Sequence, residues 1–134
     1  MIHSEHAGLE EALGYRFRDP AFLERALTHS SRRAEAKPKP SAEHAALRDN
    51  ERLEFLGDSV LNLLVAEALL HAFPEWTEGE LSKARARLVS AASLSEAARR
   101  IRLGQFLRLG RGEEKTGGRD KPAMLADAYE AVLA

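Results

Sequence analysis

The sequence contains no cysteine, one tryptophan and only 6% aromatic residues. The absence of cysteine excludes a disulfide framework and any zinc site with thiolate ligands. Long hydrophobic runs are also missing, because the longest, residues 61–70, is interrupted by Asn62 and Glu67 and is too short to span a bilayer. Residues 1–10 lack the apolar segment of a secretory signal. We therefore expect a soluble, cytoplasmic protein that does not associate with a membrane.

The charge is nearly balanced but unevenly distributed. The chain has 134 residues, 44% of them apolar, and a formal net charge of −1, which suits one globular domain with its own core. Residues 83–121 contain eleven Lys and Arg against four Asp and Glu, whereas the rest contains nine basic and seventeen acidic residues. Two solvated faces would explain this distribution. A basic surface for a polyanion beside an acidic region that recruits cations would explain it equally well.

Helical periodicity dominates and no alternating stretch predicts a strand, so the fold class is all-α. A first helix is expected to end at Gly14, and Asp19 followed by Pro20 is a strong signal for the start of the next. Residues 30–49 are rich in Pro, Ala and charged residues. We expect a loop there, with residues 32–49 flexible.

The second half of the chain also predicts helices. Asn50 is the expected cap of a long helix that Pro74 ends. Thr77 and Glu80 have the spacing of a capping box at the start of the following helix. A glycine-rich loop is expected over residues 110–120, before a last helix that runs to the end of the chain.

Acidic residues recur one helical turn apart in two of these helices. In the long helix Glu51, Glu54 and Asp58 follow i, i+3, i+7 spacing and fall within roughly 60° of one another. The last helix carries Asp127 and Glu130 on one face. Solvated acidic faces are one interpretation. The other is a convergent set of carboxylates that binds Mg²⁺, whose preferred ligands are oxygens.

The apolar residues of the long helix predict which face is buried. We expect the core stripe to consist of Leu53, Leu56, Val60, Leu63 and Leu64. Phe55 lies on the acidic side instead, which favours a partner surface that receives the ring. Gly57 costs about 1 kcal/mol relative to Ala in a helix interior. This cost favours close approach of another backbone, and a glycine that is merely tolerated is the alternative.

Four segments resemble the ribonuclease III family, and they follow one another along the chain in the order expected for that family. The segment NERLEFLGDSVL, residues 50–61, is similar to the signature of its catalytic domain. The other three are GYRFRDPAFLERALTHSS (14–31), EGELSKARARLVS (78–90) and LGRGEEKTGGRDKPAMLADAYEAVLA (109–134). The resemblance implies that residues 1–134 form the ribonuclease III endonuclease domain with its all-α fold. Family members continue beyond the last helix, so we expect an incomplete sequence that lacks part of that helix and the double-stranded-RNA-binding domain.

The resemblance also implies roles for individual residues. Glu54, Asp127 and Glu130 would ligate Mg²⁺, for which Mn²⁺ can substitute, and Asp58 and Glu130 would be catalytic. Glu51 would assist in organising the site.

Glu78 matches a second acid that would assist in organising the site. Phe55 matches an aromatic residue that the family inserts into a pocket of the dimer partner. The implied protein is a homodimeric endoribonuclease, without a small-molecule cofactor. It would hydrolyse double-stranded RNA to 5′-phosphate and 3′-hydroxyl ends in rRNA and mRNA processing. A non-catalytic RNA-binding or ribosome-associated relative of the same fold is the alternative.

Other patterns carry no chemistry. The segment GRGEEKT, residues 110–116, lacks the glycine that precedes the lysine of a phosphate loop, and no strand leads into it. Its basic residues and those nearby are candidates for contact with the RNA backbone: Arg111, Lys115, Arg119 and Lys121. Lys83, Arg85 and Arg87 are either further phosphate contacts or a solvated face. His29 is expected to be structural, and Ser30 and Ser31 lack partners for nucleophilic catalysis.

Overall fold

The structure is a computed structural model that describes residues 5–35 and 49–134. Its helices are α1 Ala7–Leu13, α2 Pro20–Leu27, α3 Ser30–Ala34, α4 Glu51–Ala72, α5 Glu78–Leu88, α6 Ala91–Arg100, α7 Arg111–Lys115 and α8 Pro122–Leu133. Two 3-10 turns cover Leu103–Phe106 and Gly118–Asp120. The part of the chain described contains no strand, only an isolated bridge between Thr28 and Arg108. The expected all-α class is confirmed.

Several helix ends follow the sequence signals. Gly14 ends α1 with a φ of 64°, a conformation that glycine adopts without steric cost. The Asp19 carboxylate accepts a hydrogen bond from the Ala21 amide at 2.9 Å and so caps α2. At the start of α5, the Glu80 amide donates to the Thr77 hydroxyl at 3.3 Å and the Thr77 amide donates to the Glu80 carboxylate at 2.8 Å. The capping box is confirmed.

The cap of α4 differs from the expected one. Asn50 has near-helical angles, φ −87° and ψ −6°, and makes no side-chain capping bond. The preceding residue takes this role instead, because Asp49 accepts a hydrogen bond from the Glu51 amide at 3.1 Å. Asp49 is buried and forms an ion pair with Arg33. Asn50 therefore occupies the N-cap position as expected, but the side-chain bond that caps the helix comes from Asp49.

Two segments expected to be loops contain short helices. Residues 30–34 form α3, and residues 36–48 lie outside the described part of the chain. Residues 110–120 contain α7 and a 3-10 turn. Packing between α3 and α7 accounts for both differences, because a Cβ atom on Gly110 would lie 2.6 Å from the Ser31 carbonyl oxygen. Tertiary contact stabilises helices that are too short to form alone.

The hydrophobic core lies around α8, which packs against α2, α4 and α6. Its buried members come from α1, α2, the end of α6, residues 103–109 and α8: Leu9, Leu23, Leu27, Ala98, Leu103, Leu107, Leu109, Leu125 and Ala128. No helix of the described residues is long and apolar enough to cross a membrane. The central position of α8 fixes its acidic residues relative to α4.

The expected core stripe of α4 is wrong in large part. Leu56, Leu63 and Leu64 are 50%, 66% and 52% exposed, and Leu53 and Val60 are only partly buried. The face that packs against α8 contains Gly57, roughly a quarter turn from the stripe. Periodicity identifies an apolar face but not what covers it. The structure thus leaves a large apolar surface on α4.

Candidate metal centre

The two acidic helices meet at Gly57. A Cβ atom built on this glycine would lie 1.8 Å from the carbonyl oxygen of Glu130 and 2.4 Å from its carbonyl carbon. No side chain fits there, so the glycine allows the backbones of α4 and α8 to touch. The close approach expected at Gly57 is confirmed, and it brings Glu54 and Asp58 beside Glu130.

Glu54 and Asp127 interact directly across the helix interface. Burial and the neighbouring acids raise the pKa of Glu54 from 4.5 to about 7, and the protonated carboxyl donates a hydrogen bond to Asp127. Burial also raises the pKa of Asp127, although the hydrogen bond from Glu54 and the charge of His29 oppose the rise. Ionising both carboxyls at once is costly, so the pair shares a proton below the raised pKa of Glu54.

Glu130 completes the cluster from the α8 side. Burial, followed by the charges of Asp58 and Asp127, raises the pKa of Glu130 from 4.5 to about 7. Asp58 is exposed, and its side-chain oxygen accepts a hydrogen bond from the side-chain Nδ2 of Asn62 at 3.3 Å. Glu51 is also exposed and acts on Glu54 through its charge. The structure thus brings Glu51, Glu54, Asp58, Asp127 and Glu130 into one electrostatic cluster.

Glu78 lies elsewhere. It lines a groove between α4 and α5, together with Leu63, Leu70 and Arg85. No interaction joins it to the acidic cluster within the part of the chain that is described. Its supporting role stays a prediction.

His29 lies next to the site, although the sequence predicts only a structural role for it. Its Nδ1 accepts a hydrogen bond from the Ser31 amide at 3.1 Å and caps α3, which agrees with that role. It also lies close enough to act electrostatically on Asp127. The Ser31 hydroxyl contacts His29 Nδ1 at 2.8 Å and accepts from the Gly110 amide at 2.9 Å. This serine therefore joins the start of α3 to the segment that precedes α7.

The donor set suits a hard divalent cation, although its side chains are not arranged as ligands. Among the described residues, no group of three or more His, Asp or Glu side chains is positioned to hold a metal ion. The chemistry nevertheless fits. Burial, together with repulsion from neighbouring acids, raises the pKa values of Glu54 and Glu130 to about 7. A cation of charge 2+ would relieve the repulsion.

Phe55 lies beside this cluster and is 80% exposed. Arg25, Arg52, Leu53 and Leu56 form a shallow depression around it. Its position off the core is confirmed, whereas its expected place in a dimer interface stays a prediction.

The basic residues divide into paired and unpaired groups. Arg119 forms an ion pair with Glu114, and Lys121 pairs with Glu113 at 3.0 Å. These two cations stabilise the segment before α8, which makes them poor candidates for RNA contact. Within residues 83–121, the exposed cations without an ion pair to a described residue are Lys83, Arg85, Arg87, Arg99, Arg102, Arg111 and Lys115.

The fold has close structural counterparts. The nuclease domain of ribonuclease III from Campylobacter jejuni superimposes with a TM-score of 0.83 at 43% identity, covering 96% of this chain and 81% of that one. That structure is described for flexibility in a region involved in dimer formation. A second structure of the same nuclease domain gives a TM-score of 0.82 at 42% identity, with 97% and 80% of the two chains covered.

Similarity in sequence points to the same group. Ribonuclease 3 of Solibacter usitatus is 54% identical over 99% of this chain and 49% of its own length. Ribonuclease 3 of Heliobacterium modesticaldum is 52% identical over 95% of this chain and 52% of its own length. The chain thus spans about half the length of these relatives. The family model described as ribonuclease-III-like matches residues 19–134, and the chain therefore belongs to the ribonuclease-III-like family.

Proposed function

We propose that the chain is the catalytic domain of a Mg²⁺-dependent endoribonuclease that hydrolyses double-stranded RNA. The observation that carries this proposal is the meeting of α4 and α8 at Gly57, which gathers Glu54, Asp58, Asp127 and Glu130. Four carboxyls in partly apolar surroundings repel one another, and folding tolerates this cost only where function requires it. A non-catalytic relative has no need of such a cluster.

Each acid has a proposed task. Glu54, Asp127 and Glu130 hold the metal, and Mn²⁺ can replace Mg²⁺ because both accept oxygen ligands. When bound, the metal lowers the pKa of water and stabilises the leaving oxygen in an in-line displacement. Asp58 is exposed and lies within electrostatic range of Glu130, where it orients the attacking water. The products carry 5′-phosphate and 3′-hydroxyl ends.

The proposed substrate follows from the basic surface. Residues 83–121 hold a surplus of cations, and Lys83, Arg85 and Arg87 on α5 are exposed without acidic partners among the described residues. Duplex RNA is recognised mainly by its shape, 2′-hydroxyls and phosphates, for which such a surface suffices. We place this activity in the cytoplasm, in the processing of rRNA and mRNA.

The proposed assembly is a homodimer. Leu56, Leu63 and Leu64 leave an apolar surface on α4, from which Phe55 projects with 80% of its surface exposed. A groove of about 450 Å³, lined in part by Tyr15 and Leu56, lies close by and is large enough for a phenyl ring. A projecting ring and a groove that both involve α4 suit a two-fold interface, because each subunit then provides one ring and one groove.

The test is cleavage of a 5′-labelled RNA duplex by the wild-type chain and by Glu130→Gln. Wild-type cleavage should require Mg²⁺ and stop with EDTA. Glu130→Gln should lose cleavage by at least a hundredfold, because it removes a metal ligand, yet bind the duplex with unchanged affinity. Glu11→Gln, an exposed acid on α1, is the control and should cleave normally. Full activity of Glu130→Gln in Mg²⁺ would refute the assignment.

A further inference from the structure

A second polar feature lies within the basic segment, residues 83–121. Arg99, Arg102 and Arg119 line a cleft of about 260 Å³ between the end of α6 and the two 3-10 turns. Asp120 is the acidic residue of the lining, so the cleft has a positive balance. None of these residues contributes to the acidic cluster described above.

Two of the three arginines are held in place by the protein itself. Arg99 Nη2 donates to the Asp120 carbonyl oxygen at 3.1 Å, and Arg119 Nη1 donates to the Gly104 carbonyl oxygen at 2.9 Å. A Cβ atom on Gly104 would lie 2.7 Å from the Arg119 carbonyl oxygen, so the two 3-10 turns pack backbone to backbone. The cleft therefore has rigid walls that exist before any ligand binds.

Arg102 is the exception. Its side chain is exposed and has no partner among the described residues. Its backbone is in the left-handed region, with φ 54° and ψ 35°. Among the described residues, it is the one non-glycine with positive φ. A side chain destabilises this conformation and glycine does not. The strained backbone therefore belongs to a residue whose guanidinium makes no hydrogen bond or ion pair with the described part of the chain.

We propose that Arg102 and this cleft bind the phosphodiester backbone of duplex RNA at a position away from the acidic cluster. The inference rests on the proposed function and adds a substrate contact to it. A guanidinium fork matches two phosphate oxygens, and Arg102 presents its fork outward from a rigid support. Of the acids in the basic segment, Glu96 is paired with Arg100, Glu113 with Lys121 and Glu114 with Arg119. Asp120 is the remaining acid, and against three arginines it leaves the cleft with a positive balance.

The geometry favours an extended polyanion over a small ion. Arg99 and Arg119 already donate to carbonyl oxygens of the chain, which leaves one free guanidinium for an isolated phosphate. A single exposed contact binds a free ion weakly, but it adds usefully to the many contacts along an RNA duplex. The contact is independent of base sequence.

The decisive variant is Arg102→Gly, since relief of the backbone strain should raise stability whereas loss of the proposed contact should lower RNA affinity. Thermal unfolding should move to higher temperature, because glycine relieves the strained backbone. The affinity for a duplex RNA of random sequence, measured without divalent metal, should fall about fivefold. The slope of log K against log salt should fall by about 1. Arg102→Lys should retain that slope, since the positive charge remains.

Arg100→Ala is the matched control. This arginine lies two residues away, is exposed and is paired with Glu96 at 3.0 Å, so its removal should leave RNA affinity and the salt slope unchanged. Equal losses in Arg100→Ala and Arg102→Gly would indicate a general charge effect and overturn the proposal. Wild-type affinity and slope in Arg102→Gly would overturn it as well.

A measurement with inorganic phosphate distinguishes a site for free anions from a contact with RNA. If phosphate raises the melting temperature of the wild type but not of Arg102→Gly, and RNA affinity is equal in both, the cleft is a free-anion site and the RNA contact is refuted. Failure of the proposed function looks different, because a chain that binds the duplex but never cleaves it would still show the Arg102 effect.

Discussion

The protonation of single carboxyls makes stability depend on pH. The pKa values of Glu54 and Glu130 rise from 4.5 to about 7 in the folded chain. Between these values the folded chain keeps protons that the unfolded chain has released, so stability falls as pH increases from 4.5 to 7. We expect a higher melting temperature at pH 5.5 than at pH 8 in EDTA. We also expect Mg²⁺ to raise the melting temperature more at pH 8, where the carboxyls are ionised.

Neutral replacements identify the groups responsible for this effect. Glu54→Gln should flatten the dependence of melting temperature on pH, because the amide does not titrate. Glu11→Gln should keep the wild-type dependence, as Glu11 is exposed on α1. A Glu54→Gln variant with an unchanged pH profile would contradict the assigned protonation.

Gly57 is the residue on which the whole site depends sterically. Gly57→Ala would place a methyl group 1.8 Å from the Glu130 carbonyl oxygen, and backbone cannot give way as a flexible side chain does. We expect a loss of about 3 kcal/mol or more in the free energy of unfolding, measured by urea denaturation. RNA cleavage should be lost in any folded fraction, since α4 and α8 must separate.

A second glycine provides the control for this substitution. Gly112 lies in α7, and a Cβ atom there would meet nothing within 4 Å. Gly112→Ala should therefore be neutral or stabilise by up to about 1 kcal/mol. Comparable destabilisation by both substitutions would show that the loss at position 57 reflects helix chemistry and not the contact with α8.

Individual residues differed in how far the sequence could predict them. Spacing placed Glu54 with Asp58 and Asp127 with Glu130 on shared helix faces, but it contains no information on whether two helices meet. Gly57 was the local signal for that meeting, since its cost needs a compensating contact. The electrostatic effect of His29 on Asp127 had no such signal, because it arises only when α8 folds against the residues that follow α2.

At the scale of elements, the start of α4 depends on a buried ion pair. Asp49 caps the Glu51 amide at 3.1 Å and pairs with Arg33 in α3. Asp49→Ala should lower the free energy of unfolding by about 3 kcal/mol, because it removes a cap and leaves Arg33 without its partner. Thr77→Ala, which removes an exposed cap of α5, should cost about 1 kcal/mol. Equal losses in urea denaturation would mean that the ion pair contributes nothing.

Elements were predicted best where local chemistry decides them. The capping box at Thr77 and the end of α1 at Gly14 depend only on neighbouring residues, and both were predicted correctly. Residues 111–115 were assigned to a loop because glycine and charge indicate one, yet packing against α3 makes them helical. The buried face of α4 was displaced for a related reason, since helical periodicity cannot distinguish a surface that packs within the chain from one that packs on a partner.

At the scale of the whole molecule, the apolar surface of α4 is the feature that one chain leaves unexplained. Phe55 is 80% exposed, and Leu63 is 66% exposed on the same helix. Burying such a surface between two copies of the chain would contribute about 25 cal/mol for each Å² removed from water. The proposed dimer therefore predicts that the central aromatic ring carries much of the association energy.

Phe55→Ala tests this prediction. We expect the dissociation constant of the dimer to rise by at least tenfold. An aromatic anchor in an interface commonly contributes about 2 kcal/mol or more to the free energy of association. Sedimentation velocity over a range of low protein concentrations should show the shift toward monomer. Leu88→Ala is the control, since Leu88 is an exposed apolar residue, at 48%, but lies at the end of α5, and it should sediment like the wild type. Identical profiles for Phe55→Ala and the wild type would remove Phe55 from the interface, while cleavage by a stable monomer would separate catalysis from assembly altogether.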